Sequence, residues 1–262
     1  MEKILKIFSF LIISGVLTFG CKKAREEEWD SSIASNIIEL YSQAGYSCSG
    51  IDDTIPYPRP WRKETADTFK ISETRLQNTS TCGLIQTFFN QPWNVLGPWC
   101  TICSNLSING IEYFNDRLKN DPVICELLSR DDALNKLIGK YVDLIKNLTD
   151  MEINPGCLHS FEILLASESI NEFLTENASD DLLILSLKMI EIKKDNNIFN
   201  YESSLAVTRH IMTNILLKKK YKPFLSACLK NGSLETYIYG YKVCYEGDKV
   251  ENFAKMYLKN KN

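Results

Sequence analysis

The chain has 262 residues, 30 basic and 33 acidic, giving a net charge of −3 with histidine neutral. That near-neutral balance excludes a dedicated nucleic-acid binder, which carries a basic excess. An apolar content of 44% with 24% charged residues excludes a disordered chain and leaves enough apolar surface for a sizeable core.

The chain opens with a leader. Lys3 and Lys6 precede an apolar run from Ile7 to Phe19. The run is too short to span a bilayer comfortably and has the layout of an export signal. It ends in Leu17-Thr18-Phe19-Gly20-Cys21. This junction resembles the relaxed lipobox of bacterial lipoproteins, as found in spirochaetes. The resemblance implies that residues 1–20 are a signal peptide, that cleavage falls before Cys21, and that lipid is attached to the Cys21 thiol. It also implies a cell-envelope address, with a membrane as partner through the N-terminal lipid. Lys22 stands where many Gram-negative lipoproteins carry the aspartate of inner-membrane retention, which points to the outer membrane. The resemblance ends at residue 21 and implies no biochemical activity.

Cysteine parity agrees with this leader. The nine cysteines are an odd set, and lipidation of Cys21 would leave Cys48, Cys82, Cys100, Cys103, Cys125, Cys157, Cys228 and Cys244. In an oxidising compartment these eight are candidates for four disulfides, with a connectivity that spacing does not resolve. The leader also removes Lys3, Lys6 and Glu2, so 28 basic and 32 acidic residues remain of the 30 and 33, a net charge of −4.

Residues 21–30 read as the lipidated cysteine and a charged tether, and residues 31–262 as the ectodomain. From Ser31, Ile33, Ile37, Leu40 and Tyr41 have helical spacing up to Gly45, a common helix-closing residue. Residues 46–64 lose that period. The prolines of Ile55-Pro-Tyr-Pro-Arg-Pro-Trp61 predict an extended loop, with Tyr57 and Trp61 as anchors on the core. Leu84, Ile85, Phe88 and Phe89 predict a short buried helix. Cys100, Cys103, Ser107, Ile111, Phe114 and Leu118 share one helix face. Asp121-Pro122 is a helix start. Leu134, Leu137, Ile138, Tyr141 and Ile145 form another stripe, after Asp131-Asp132.

Pro155 opens a helix carrying Leu158, Phe161 and Leu165. Ser169 and Ser179 are expected to cap two more. Tyr201 to Leu216 form a longer one, ending in Lys218-Lys219-Lys220. Further helices are expected around Leu225 to Gly232, from Ser233 to Cys244, and from Val250 to Leu258. Alternating, strand-like runs are scarce. The expected fold is therefore all-α: an irregular bundle or short superhelix of about nine to eleven helices, stapled by disulfides.

The sharpest chemical motif is Trp99-Cys100-Thr101-Ile102-Cys103. It resembles the Trp-Cys-x-x-Cys motif of thioredoxin-like oxidoreductases, which implies Cys100 as attacking thiol and Cys103 as resolving thiol. That family presents the motif from an apolar strand, whereas Gln91-Pro-Trp-Asn-Val-Leu-Gly-Pro precedes it here. Cys100, Cys103, Cys157 and His159 have part of a zinc-ligand spacing, but Cys157-x-His159 is not a usual second half. No metal or cofactor is expected. His210, beside Arg209, reads as a surface histidine. The pairs Asp52-Asp53, Asp131-Asp132 and Asp180-Asp181 read mainly as helix-start carboxylates. Lys218-Lys219-Lys220-Tyr221-Lys222 reads as cations at a helix C-terminus, with contact to anionic headgroups as the alternative. No catalytic set emerges. The expected function is that of an envelope lipoprotein, structural or binding another protein or host macromolecule, and not an enzyme. The alternative is an envelope thiol–disulfide oxidoreductase.

Overall fold

The computed structural model describes residues 30–48, 50, 53–57, 70–90, 118–148, 155–196, 202–231 and 249–261. The chain divides into Met1–Asp30 and Ser31–Asn262, and every described helix belongs to the second unit. Among the described residues there are eleven helices and no strand. They are α1 (Ser32–Gln43), α2 (Glu73–Asn78), α3 (Thr81–Asn90), α4 (Pro122–Leu128), α5 (Ala133–Asn147), α6 (Pro155–Leu165), α7 (Glu168–Phe173), α8 (Glu176–Asp195), α9 (Glu202–Lys218), α10 (Lys222–Asn231) and α11 (Lys249–Lys261). The all-α expectation holds. No helix among these residues is long and apolar enough to cross a membrane.

Helix α8 is the axis of the bundle. Its 20 residues make a rod of about 30 Å. An unbroken run from Leu182 to Leu187 is buried, so the helix meets neighbours on nearly all sides. It packs against α1, α5, α9 and α11, while α6 packs on α9 and α3. Helix α5 is amphipathic in the ordinary way. Leu134, Leu137, Ile138, Tyr141, Val142 and Ile145 are buried at spacings of three and four. Burying each such side chain contributes about 1.5–3 kcal/mol before the entropy of ordering is subtracted. In α1 the buried edge is Ala34 and Tyr41, not the isoleucine stripe, and Leu40 is exposed.

Local chemistry sets several helix ends. Asp121 accepts from the backbone N–H of Val123 and Ile124, with Pro122 in the first turn, as the sequence predicts. Two expected caps move towards the N-terminus. Ser167 caps α7 by accepting from Ile170 N–H, and Thr175 caps α8 by accepting from Ala178 N–H. Ser179 lies inside α8, its hydroxyl donating to the Thr175 carbonyl. Asp132 precedes α5 but makes no side-chain cap bond; it accepts instead from the Thr81 hydroxyl.

The segment after α1 is tied down at successive points. Gly45, at φ 70°, turns the chain. The carboxylate of Asp143 accepts from the Ser47 hydroxyl and the Cys48 N–H. A disulfide joins Cys48 to Cys82 of α3. Asp53 accepts from the backbone N–H and hydroxyl of Ser80, the residue before α3. Ile55 donates its N–H to the Thr87 hydroxyl and is itself buried. Ile55 is thus an anchor that the proline pattern did not single out. Tyr57 is half-buried, and Trp61 lies outside the described residues. Two glycines admit this segment. A Cβ on Gly139 would stand 2.4 Å from the Tyr46 carbonyl oxygen, and one on Gly83 would stand 2.2 Å from Asp53 Oδ1.

The disulfide expectation is met at one pair and corrected at one cysteine. Cys125 is exposed on α4 and carries a free thiol, which donates to the Lys119 carbonyl at 3.7 Å. Its side of the helix faces solvent, while Val123, Ile124 and Leu127 take the core. Cys228 is buried in α10. Cys21, Cys100, Cys103 and Cys244 lie outside the described residues, as does the side chain of Cys157.

Candidate functional site

The most unusual chemistry of the fold lies inside it. Lys193 of α8 and Glu162 of α6 form an ion pair with both side chains at 0% exposure. The ammonium donates to Glu162 Oε2, to the Ser204 carbonyl at 3.0 Å and to the Thr208 hydroxyl at 2.9 Å. Three protons thus meet three acceptors. Glu162 Oε1 accepts from the Tyr141 hydroxyl of α5 at 3.0 Å and from the Thr208 hydroxyl of α9 at 2.7 Å. Four helices therefore meet on one carboxylate. Burial pushes the Lys193 amine below the ordinary lysine range, against the upward pull of Glu162. Burial first, and then the Glu162 charge, hold Tyr141 well above the ordinary tyrosine value, so it stays a donor. Ser186 Oγ faces the Tyr141 hydroxyl but reaches no hydrogen-bond geometry with it.

His159 lies one turn before Glu162. It is 1% exposed, and neither ring nitrogen has a hydrogen-bond partner among the described residues. Burial, with the Lys193 charge second, lowers it to about 4. Of the zinc reading, Cys100, Cys103 and the side chain of Cys157 lie outside the described residues, and no described acceptor or carboxylate orients the His159 ring. Among the described residues no three His, Cys, Asp or Glu side chains form a metal-holding group.

A second cluster fastens the C-terminal helix. Glu251, in the first turn of α11, accepts from Arg209 Nε and Nη2 at 3.0 and 2.9 Å and from Lys194 at 2.7 Å. At the other end of α11, Tyr257 and Lys261 both donate to Asp180 of α8, which also pairs with Lys219 at 2.9 Å. Burial works to raise the Asp180 carboxyl, but the bonds from Lys261, Lys219 and Tyr257 together hold it below the usual value. Its neighbour Asp181 goes the other way. Burial raises it, and the Asp180 charge adds to that, outweighing the Tyr41 hydroxyl bond and the Lys261 charge. These two carboxylates sit inside α8 and bind side chains of other helices, so the helix-start reading is corrected. Asp52 and its environment lie outside the described residues; Asp53 serves Ser80.

Two lysines of the basic run are absorbed by the fold, while Lys220 and Lys222 are exposed. Lys218 donates to the carbonyls of Asn171, Glu172 and Leu174, the open end of α7. Lys219 serves the first turn of α8 through the Glu176 carbonyl at 2.8 Å. His210 is half-buried in α9 and not a surface residue, and burial lowers it to about 4.

These clusters join helices; none presents an uncommitted nucleophile beside a base. Trp99-Cys100-Thr101-Ile102-Cys103 lies outside the described residues. No known protein family, curated protein or solved structure matches this chain.

Proposed function

We propose that the chain is an envelope lipoprotein, anchored by lipid on Cys21, whose helical ectodomain has a structural or macromolecule-binding role. The observation that carries this reading is the leader itself: Lys3 and Lys6, the apolar run to Phe19, and Gly20-Cys21 at its end. Two features of the fold support it. The Cys48–Cys82 disulfide suits an oxidising compartment. The charged clusters are consumed in holding helices together, as suits a scaffold or binding module. An outer-membrane address follows from Lys22 after the anchor. The test is metabolic labelling with palmitate and detergent-phase partitioning of the wild type and of Cys21→Ala in a bacterial host. The wild type takes up label and enters the detergent phase; the variant does neither. Unchanged partitioning of the variant would overturn the reading.

A further inference from the structure

The orphaned imidazole of His159 has a consequence for the whole junction. A neutral ring has one donor and one acceptor to satisfy, and a protonated ring has two donors. Among the described residues, His159 satisfies none of these in the core. The groups around it offer no rescue. From α8 it meets the Lys193 ammonium, a like charge once the ring is protonated. Glu162, on its own helix, already accepts from Lys193, Tyr141 and Thr208. From α9, Arg209 is committed to Glu251 and Lys218 to the end of α7. Helix α3 supplies no ionisable side chain beyond the bridged Cys82, and Glu168 and Glu172 of α7 are exposed. Among the described residues, a proton on His159 therefore has no group to share it.

We propose that the His159–Glu162–Lys193 junction is an acid-release latch, which closes the α5–α6–α8–α9 core while the imidazole is neutral and opens it when mild acid drives a proton onto the ring. The sign follows from linkage. The ring is held at about 4 in the fold, against 6.5 when free. Its contribution is fully present above pH 6.5 and is lost as pH falls towards 4, because the open state binds the proton first. Between pH 7 and 4.5 this one group lowers the folding equilibrium constant by about 60-fold. His210, also lowered, adds a separate contribution that a variant must remove.

The experiment is urea unfolding of the full chain at pH 7 and pH 4.5, for the wild type, His159→Gln, His210→Gln and the double variant, with a nuclear magnetic resonance titration of the imidazoles in the wild type. His159→Gln is expected to flatten the pH dependence by well over tenfold, and to do so equally in the His210→Gln background. The wild-type His159 ring stays neutral at pH 5 in the folded chain. Equal pH dependence in wild type and His159→Gln overturns the proposal. So does a folded-state His159 that titrates near pH 6.5, which also decides the matter if the variant fails to fold.

Discussion

Replacing Glu162 by glutamine isolates the worth of the buried ion pair. The substitution keeps the shape and can still offer an acceptor to Tyr141 and Thr208. It removes the negative charge and, with the amide oxygen kept by those two donors, turns the amide N–H groups towards Lys193. The ammonium, at 0% exposure, would keep only the Ser204 carbonyl and the Thr208 hydroxyl. Breaking a buried pair in this way costs about 3–5 kcal/mol, because the remaining charge is uncompensated. That is at least about a fifth of the roughly 5–15 kcal/mol that keeps a domain folded. In a chain of this size it lowers Tm by about 10 °C. Lys193→Met alone strands the carboxylate and costs a similar amount. The double variant Glu162→Gln/Lys193→Met carries no stranded charge and regains most of the loss. Urea unfolding at pH 7 on the four proteins closes the cycle. A cost below about 1 kcal/mol for Glu162→Gln, or a double variant as weak as the sum of the singles, would refute a coupled pair.

Two further perturbations address the segment after α1. Cys48→Ser/Cys82→Ser opens a loop of 34 residues and is expected to cost about 3–4 kcal/mol, read as a fall in the urea midpoint; a change under about 1 kcal/mol would mean that the Asp143, Asp53 and Ile55 contacts fix the segment alone. Gly139→Ala places a Cβ against the Tyr46 backbone and is expected to destabilise by about 1–3 kcal/mol, although alanine is the better helix former; a stabilised variant would show that the segment does not approach α5 as closely as described.

Much of the fold was legible from period and punctuation. The α5 stripe, the Asp121-Pro122 start and the Pro155 start are local events, set within one or two turns, and each stands where spacing places it. The displaced caps show the limit. Ser167 and Ser169 are equivalent as residues, and only the path of α6 into α7 selects the first. Lys218 reads alone as a cation at a helix end. That it also closes the end of α7, more than forty residues earlier in the chain, is a tertiary fact. His210 misled for the same reason: its neighbour Arg209 suggests a wet surface, but that arginine is buried against Glu251.

The buried pair leaves a signal in the sequence. In α6, Leu158, Phe161 and Leu165 mark the core face, and Glu162 sits four residues from Leu158 on that same face. In α8, Leu182, Met189 and Ile190 mark a face that Lys193 continues. Thr208 interrupts the stripe of Leu205, Met212 and Ile215 in α9 in the same manner. A charge on an apolar stripe has two outcomes: its helix end is exposed, or it is buried with a partner, because a lone buried charge is too costly to keep. Glu162 is the only charged residue of α6, and it lies in the interior of the helix, where fraying does not expose it. It therefore needs a cation, and Lys193 is the lysine placed on an apolar stripe of the neighbouring long helix. What the stripes cannot supply is His159. One turn from Glu162 it reads as a ligand, a base or a filler with equal ease. Only the absence of an acceptor among the described residues around the ring, a property of the packed helices and not of the Cys-Leu-His-Ser segment, sets it apart as the group on which the proposed latch turns.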